Sequence, residues 1–113
     1  MRSAKLFAAA IIGCLPVSAG AADPRSGSIA GRQVYEKWCS SCHGPGTDSP
    51  GTRALAVKYR GELPGQLERR KDLTPEVVNF YVRNGVSVMP PFRKTEITDQ
   101  ELEQLARYLS APK

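Results

Sequence analysis

Cys39-Ser40-Ser41-Cys42-His43 sets two thiols three residues apart, with an imidazole directly after the second. On one helical turn, two thiols at that spacing can add across the two vinyl groups of a single porphyrin. The adjacent imidazole then lies under the iron as a nitrogen ligand. The stretch therefore reads as an attachment site for one covalent haem c, with Cys39 and Cys42 as anchors and His43 as an axial ligand. His43 is the only histidine of the 113-residue chain, so nothing else can supply imidazole.

Three other uses of a C-x-x-C pair are weaker. A thioredoxin-like redox pair expects a preceding strand and a βαβ setting, and neither is present. A structural zinc site needs four ligands, and there is no second Cys/His pair. A Cys39–Cys42 disulfide is compatible with export, but leaves His43 without a role.

Apart from the initiator, the chain has one methionine, Met89, 46 residues beyond His43. A thioether is a soft iron ligand and, opposite histidine, raises the haem potential. Taken alone, a lone methionine reads as apolar filler. With a haem site already in the chain, it reads as the sixth ligand. The rival is a haem enzyme or gas sensor with an open or labile sixth position. Such chemistry calls for distal acid/base groups, and the sequence offers no second histidine and no distal constellation.

The elements that must position these residues are helical. The first helix is predicted from about Ile29 to Ser41, with Val34 and Trp38 on one face and Tyr35 beside them. Gly31 within it is explained by a second helix crossing closely, or else is a tolerated surface glycine. Residues 44–51 read as a loop. Ala54 to Val57 form an apolar stretch able to line a haem face, residues 61–65 a second loop, and 66–71 a short helical piece. Arg69, Arg70 and Lys71 read as a solvated basic face rather than a docking patch. Thr74 and Pro75 cap and open a helix that ends at Asn84-Gly85, with Val77, Val78 and Tyr81 inward. The two prolines of Val86–Phe92 exclude helix and predict a stiff, extended loop around Met89. Thr98-Asp99-Gln100-Glu101 is a capping box opening a last helix, with Leu102, Leu105 and Leu109 at helical spacing, ending near Ser110. With no strand pattern and no repeat, the fold class is all-α.

The N-terminus has the layout of a secretory signal: Arg2 and Lys5, an apolar run from Leu6 to Ile12, then small residues with Ala19-Gly20-Ala21 as an A-x-A site. Residues 1–21 are therefore expected to be a signal peptide, cleaved near 19–22, with a domain at 22–113 exported to a bacterial periplasm. Ile11-Ile12-Gly13-Cys14 resembles a lipoprotein box in which Cys14 would carry a lipid anchor, but the small residues at 18–22 favour ordinary cleavage. No segment is apolar enough to span a bilayer. After cleavage, 14 basic against 11 acidic residues leave +3 rather than +5, too little to argue for nucleic acid. A chain of about 90 residues is near the lower limit for a self-sufficient core, so a buried macrocycle is expected to complete it.

From Gly31 to Leu109 the chain resembles class I cytochromes c, small monohaem electron carriers. In that family a glycine and an aromatic precede the first haem cysteine by eight and four residues, here Gly31 and Tyr35. A Leu-x-x-Tyr/Phe contact lies in the last helix, here Leu105 and Tyr108. The resemblance implies a cytochrome c fold, with three to five helices around one covalently bound haem and the N- and C-terminal helices crossing. It also implies a proline after the motif whose carbonyl accepts from the proximal ring nitrogen, for which Pro50 is the candidate. Val82-Arg83-Asn84-Gly85 and Met89-Pro90-Pro91-Phe92 are similar to small cytochromes serving flavoprotein dehydrogenases. Examples are the cytochrome subunits of p-cresol methylhydroxylase and eugenol hydroxylase, and the cytochrome acceptor of nicotine oxidoreductase. The implied function is a periplasmic one-electron carrier, not an enzyme. Its donor would be a flavoprotein dehydrogenase and its acceptor a cytochrome or terminal oxidase. Pro91, Phe92, Arg93 and Lys94 could rim the haem edge, although Arg93 and Lys94 also read as ordinary surface charge.

Overall fold

Capping and apolar spacing both place helices along this chain, and a computed structural model, describing residues 24–113, contains five of them. The expected signal segment, its cleavage site and Cys14 lie outside the described residues. The described residues contain no strand. No helix among them is long and apolar enough to cross a membrane.

Helix α1 spans Pro24–Trp38 and α2 spans Ser40–His43. The single helix expected over Ile29–Ser41 thus begins earlier and is interrupted at Cys39, where φ is −116°. The interruption is a kink rather than an end. Cys39 N–H donates to the Tyr35 carbonyl at 2.9 Å and His43 N–H to the Cys39 carbonyl at 2.8 Å, so helical bonding runs across it.

Helix α3 spans Pro50–Tyr59, where the sequence predicts only the end of a loop and an apolar stretch. Ser49-Pro50 repeats the residue pairing of Thr74-Pro75, although the Ser49 side chain makes no capping bond, and Gly51 disguises it as loop. A 3-10 turn at Leu67–Arg69 matches the short helical piece. Arg70 departs from the solvated basic face: it is 5% exposed. Its Nε donates to Asp72 Oδ1 at 2.7 Å, its Nη2 pairs with Oδ2, and its guanidinium lies 4.5 Å from the Tyr59 ring centroid. A flat cation that both stacks and forks onto a carboxylate can be buried, whereas its neighbours Arg69 and Lys71 stay exposed.

Helix α4 runs Pro75–Asn84, opened by the Thr74 side chain accepting from Val77 N–H at 3.3 Å and closed at Gly85 with φ 68°. Its buried stripe is Val78 and Val82; Val77 and Tyr81, expected inward, are more than a third exposed. Helix α5, Asp99–Ser110, carries the expected capping box: Thr98 Oγ1 accepts from Glu101 N–H and Glu101 Oε2 accepts from Thr98 N–H. Leu102, Leu105, Ala106 and Leu109 form its buried face.

The core sits where α1, α4 and α5 meet, centred on the fully buried Tyr35, Ile97 and Leu105. The terminal helices meet at Gly31. A Cβ there would lie 2.6 Å from the Tyr108 Cβ and closer still to the Gln104 carbonyl oxygen, so only glycine admits this approach. Beside it the Tyr35 and Tyr108 rings pack at 6.0 Å. Gly31→Ala is expected to cost about 2–3 kcal/mol through overpacking. A thermal midpoint unchanged from the parent protein would contradict the close crossing.

Candidate cofactor-binding site

The kink between α1 and α2 divides the environments of the two thiols. Cys39 is buried in the apolar core, Cys42 is exposed, and they are not bridged. Burial, with a smaller contribution from Cys42, pushes the Cys39 thiol up to about 12. A buried thiol pushed up in this way is a poor attacking nucleophile, which disfavours thioredoxin-like exchange through Cys39. Among the described residues no cluster of three or more His, Cys, Asp or Glu could hold a metal ion.

His43 ends α2. Burial holds its pKa below the ordinary histidine value and favours the neutral imidazole, the form that can ligate a metal. The Tyr35 hydroxyl donates to the His43 carbonyl at 2.7 Å, tying the end of the motif back to α1. Sequence reasoning marked Tyr35 only as an aromatic. Its hydroxyl reaches eight residues along the chain, which no local pattern reports.

The expected bond from His43 to Pro50 is absent. His43 Nδ1 is buried with no hydrogen-bond partner among the described residues. Pro50 is instead the first residue of α3, where the carbonyl is turned along the helix axis. The contact falls to Gly51, whose Cα face is so close that a Cβ would sit 2.9 Å from His43 Nδ1 and 2.8 Å from its Cε1.

Met89 is half-buried and packs against the apolar cluster that contains Cys39. The sequence predicts an extended loop here, but the loop is not extended throughout and opens on a turn. Val86 N–H donates to the Met89 carbonyl at 3.0 Å and Met89 N–H to the Val86 carbonyl at 2.9 Å, closing a turn with Ser87 at φ 54°. After Pro90 and Pro91, Phe92 packs edge-on to Trp38 with centroids 5.8 Å apart. Pro91, Arg93 and Lys94 are exposed; Arg93 pairs with Glu96 at 3.4 Å and Lys94 with Asp99 at 2.7 Å.

These residues fit a haem. The donor set is two unbridged thiols, a neutral imidazole and a thioether. The two buried side-chain polar atoms without a partner among the described residues, His43 Nδ1 and Trp38 Nε1, both belong to the motif or its immediate neighbour. Apolar surface is also left uncovered. Helix α3 buries no residue, Val77, Phe80 and Tyr81 project from α4, and Val88 is 95% exposed. A large apolar macrocycle is the kind of group such surface accommodates.

Comparison with known proteins agrees. Residues 29–109 match the family described as cytochrome C oxidase, cbb3-type, subunit III. The chain is 31% identical over 97 residues to the 4-cresol dehydrogenase (hydroxylating) cytochrome c subunit of Pseudomonas putida, covering 86% of this chain and 73% of that relative. No solved structure matches the chain.

Proposed function

The chain belongs to the cytochrome c family that includes cbb3-type subunit III, and from that premise we propose a periplasmic one-electron carrier between a flavoprotein dehydrogenase and a cytochrome or terminal oxidase. Family membership makes it an electron-transfer protein with covalently bound haem c, not an enzyme. Cys39 and Cys42 would hold the haem through thioethers. His43 would ligate the iron through Nε2, since Nδ1 is buried against Gly51, and Met89 would supply the second ligand. When bound, the group would supply reversible ferric/ferrous cycling.

The observation that carries this reading is the joint placement of the motif and Met89. Half-buried Met89 packs against the apolar cluster to which buried Cys39 belongs, although Met89 follows Cys39 by 50 positions in the chain. The donor is inferred from the relative, whose name makes it the cytochrome subunit of a hydroxylating dehydrogenase. A small, transient contact would suffice for electron transfer.

The test is to mix purified holoprotein with a substrate-reduced flavoprotein dehydrogenase of the 4-cresol type and follow the haem spectrum. Reduction at a rate rising with dehydrogenase concentration is expected. Reduction by a small chemical reductant but not by the flavoprotein would remove the donor assignment. A ferric spectrum lacking the weak far-red sulfur-to-iron band would remove Met89 and favour an open sixth position.

A further inference from the structure

Pro90 and Pro91 strip the backbone after Met89 of two N–H donors, so that stretch cannot anchor itself through them. The first backbone donor beyond Met89 is Phe92 N–H, which donates to the Val82 carbonyl at 2.8 Å. The opposite side of the same residue is held by Arg83. Its Nη1 donates to the Phe92 carbonyl at 3.0 Å and to the Ile97 carbonyl at 2.9 Å, and its Nη2 donates to Asp99 Oδ1 at 2.8 Å. One side chain, 23% exposed, thereby joins the end of α4, both ends of the 92–97 connection and the first turn of α5. Gly85 closes the other side. A Cβ there would lie 2.6 Å from the Met89 carbonyl oxygen and 2.8 Å from Pro91 N, so the end of α4 presses directly on the loop backbone.

We propose that Arg83 is the positioning residue for Met89, holding the segment behind the thioether so that this weak ligand stays presented to the iron. This rests on the reading of Met89 as the sixth ligand. The geometry calls for a guanidinium. Three acceptors at three chain positions are served by one rigid, planar, multi-donor head, which an ammonium cannot reproduce. The two carbonyls have no charge of their own to hold a loosened loop, and Asp99 already has a second partner in Lys94. When Arg83 is lost, the loop samples positions in which Met89 is off the iron. The apparent affinity of a competing ligand rises with the fraction of time the position is open.

Imidazole is the probe, titrated into ferric holoprotein while the far-red sulfur-to-iron band is followed. Arg83→Met is expected to bind imidazole about tenfold or more tightly than the parent, on the scale of one lost charge-assisted hydrogen bond. Its potential should fall as well. Arg83→Lys, which keeps the charge and guards against a variant that fails to fold, should show the same trend at smaller size. Leu109→Val, a core change away from the loop, lowers the thermal midpoint but leaves imidazole affinity at the parent value, which separates positioning from general destabilisation. Parent-like imidazole affinity and potential in both Arg83 variants overturn the proposal. If the parent protein itself lacks the far-red band, the failure lies with Met89 as ligand, and this inference falls with it.

Discussion

Cys39→Ala/Cys42→Ala yields a colourless chain with no cooperative thermal transition. Both proposed anchors are removed, so haem c would not be retained covalently. The structure locates the damage. Helices α2 and α3 bury no residue of their own, and α3 presents Val57 and other apolar positions that protein does not cover. The buried cluster is formed by α1, α4 and α5 with Cys39 and Ile97, and in a domain of about 90 residues that is a small core. Without the macrocycle, the α2–α3 half has nothing to fold onto, and residual helix should be confined to the α1–α5 crossing. Far-UV circular dichroism during a thermal melt reads the outcome. A pigment-free variant that retains parent helix content and melts cooperatively would defeat the view that the haem completes the core.

Met89→Ala lowers the reduction potential by roughly 0.1–0.2 V, a fraction of the ~0.8 V over which axial ligands tune haem. It also abolishes the far-red sulfur band and lets exogenous ligands bind without competition. The stability loss is smaller, about 1–2 kcal/mol, because the side chain is only half-buried. The backbone pairing of Val86 with Met89 and the Arg83 bonds do not use the thioether, so the loop itself persists. Met89→Leu separates the two effects. It restores packing volume without sulfur, so stability should recover while the potential stays low. A Leu variant with parent potential would show that Met89 packs and does not ligate.

Both expectations depend on how differently parts of this chain could be read. The boundaries of α4 and α5 were legible because their signals are local. Thr74-Pro75 and Gly85, and the Thr98/Glu101 box, satisfy helix ends within a few residues, and the structure reproduces each. The inward face of α4 was misjudged by about one position, Val82 being buried where Tyr81 was expected. Helical periodicity defines a stripe, but what packs on it lies elsewhere in the chain. Helix α3 had a readable start signal, Ser49-Pro50, overridden by the loop character of the glycines around it.

By itself, the sequence determined the chemistry: two thiols and the lone imidazole at one fixed spacing, a lone thioether within a proline-bound stretch, and capped helices around them. Those facts are carried by covalent order and by contacts within one or two helical turns, so they are present in any conformation of the chain. Only the tertiary structure decided that Arg70 is stacked and buried, that Gly51 lies close against the His43 ring, that Tyr35 braces the motif, and that Arg83 grips the segment behind Met89. Each of these depends on groups meeting across a turn or between helices. Their partners are chosen by packing, and spacing along the chain carries no record of that choice.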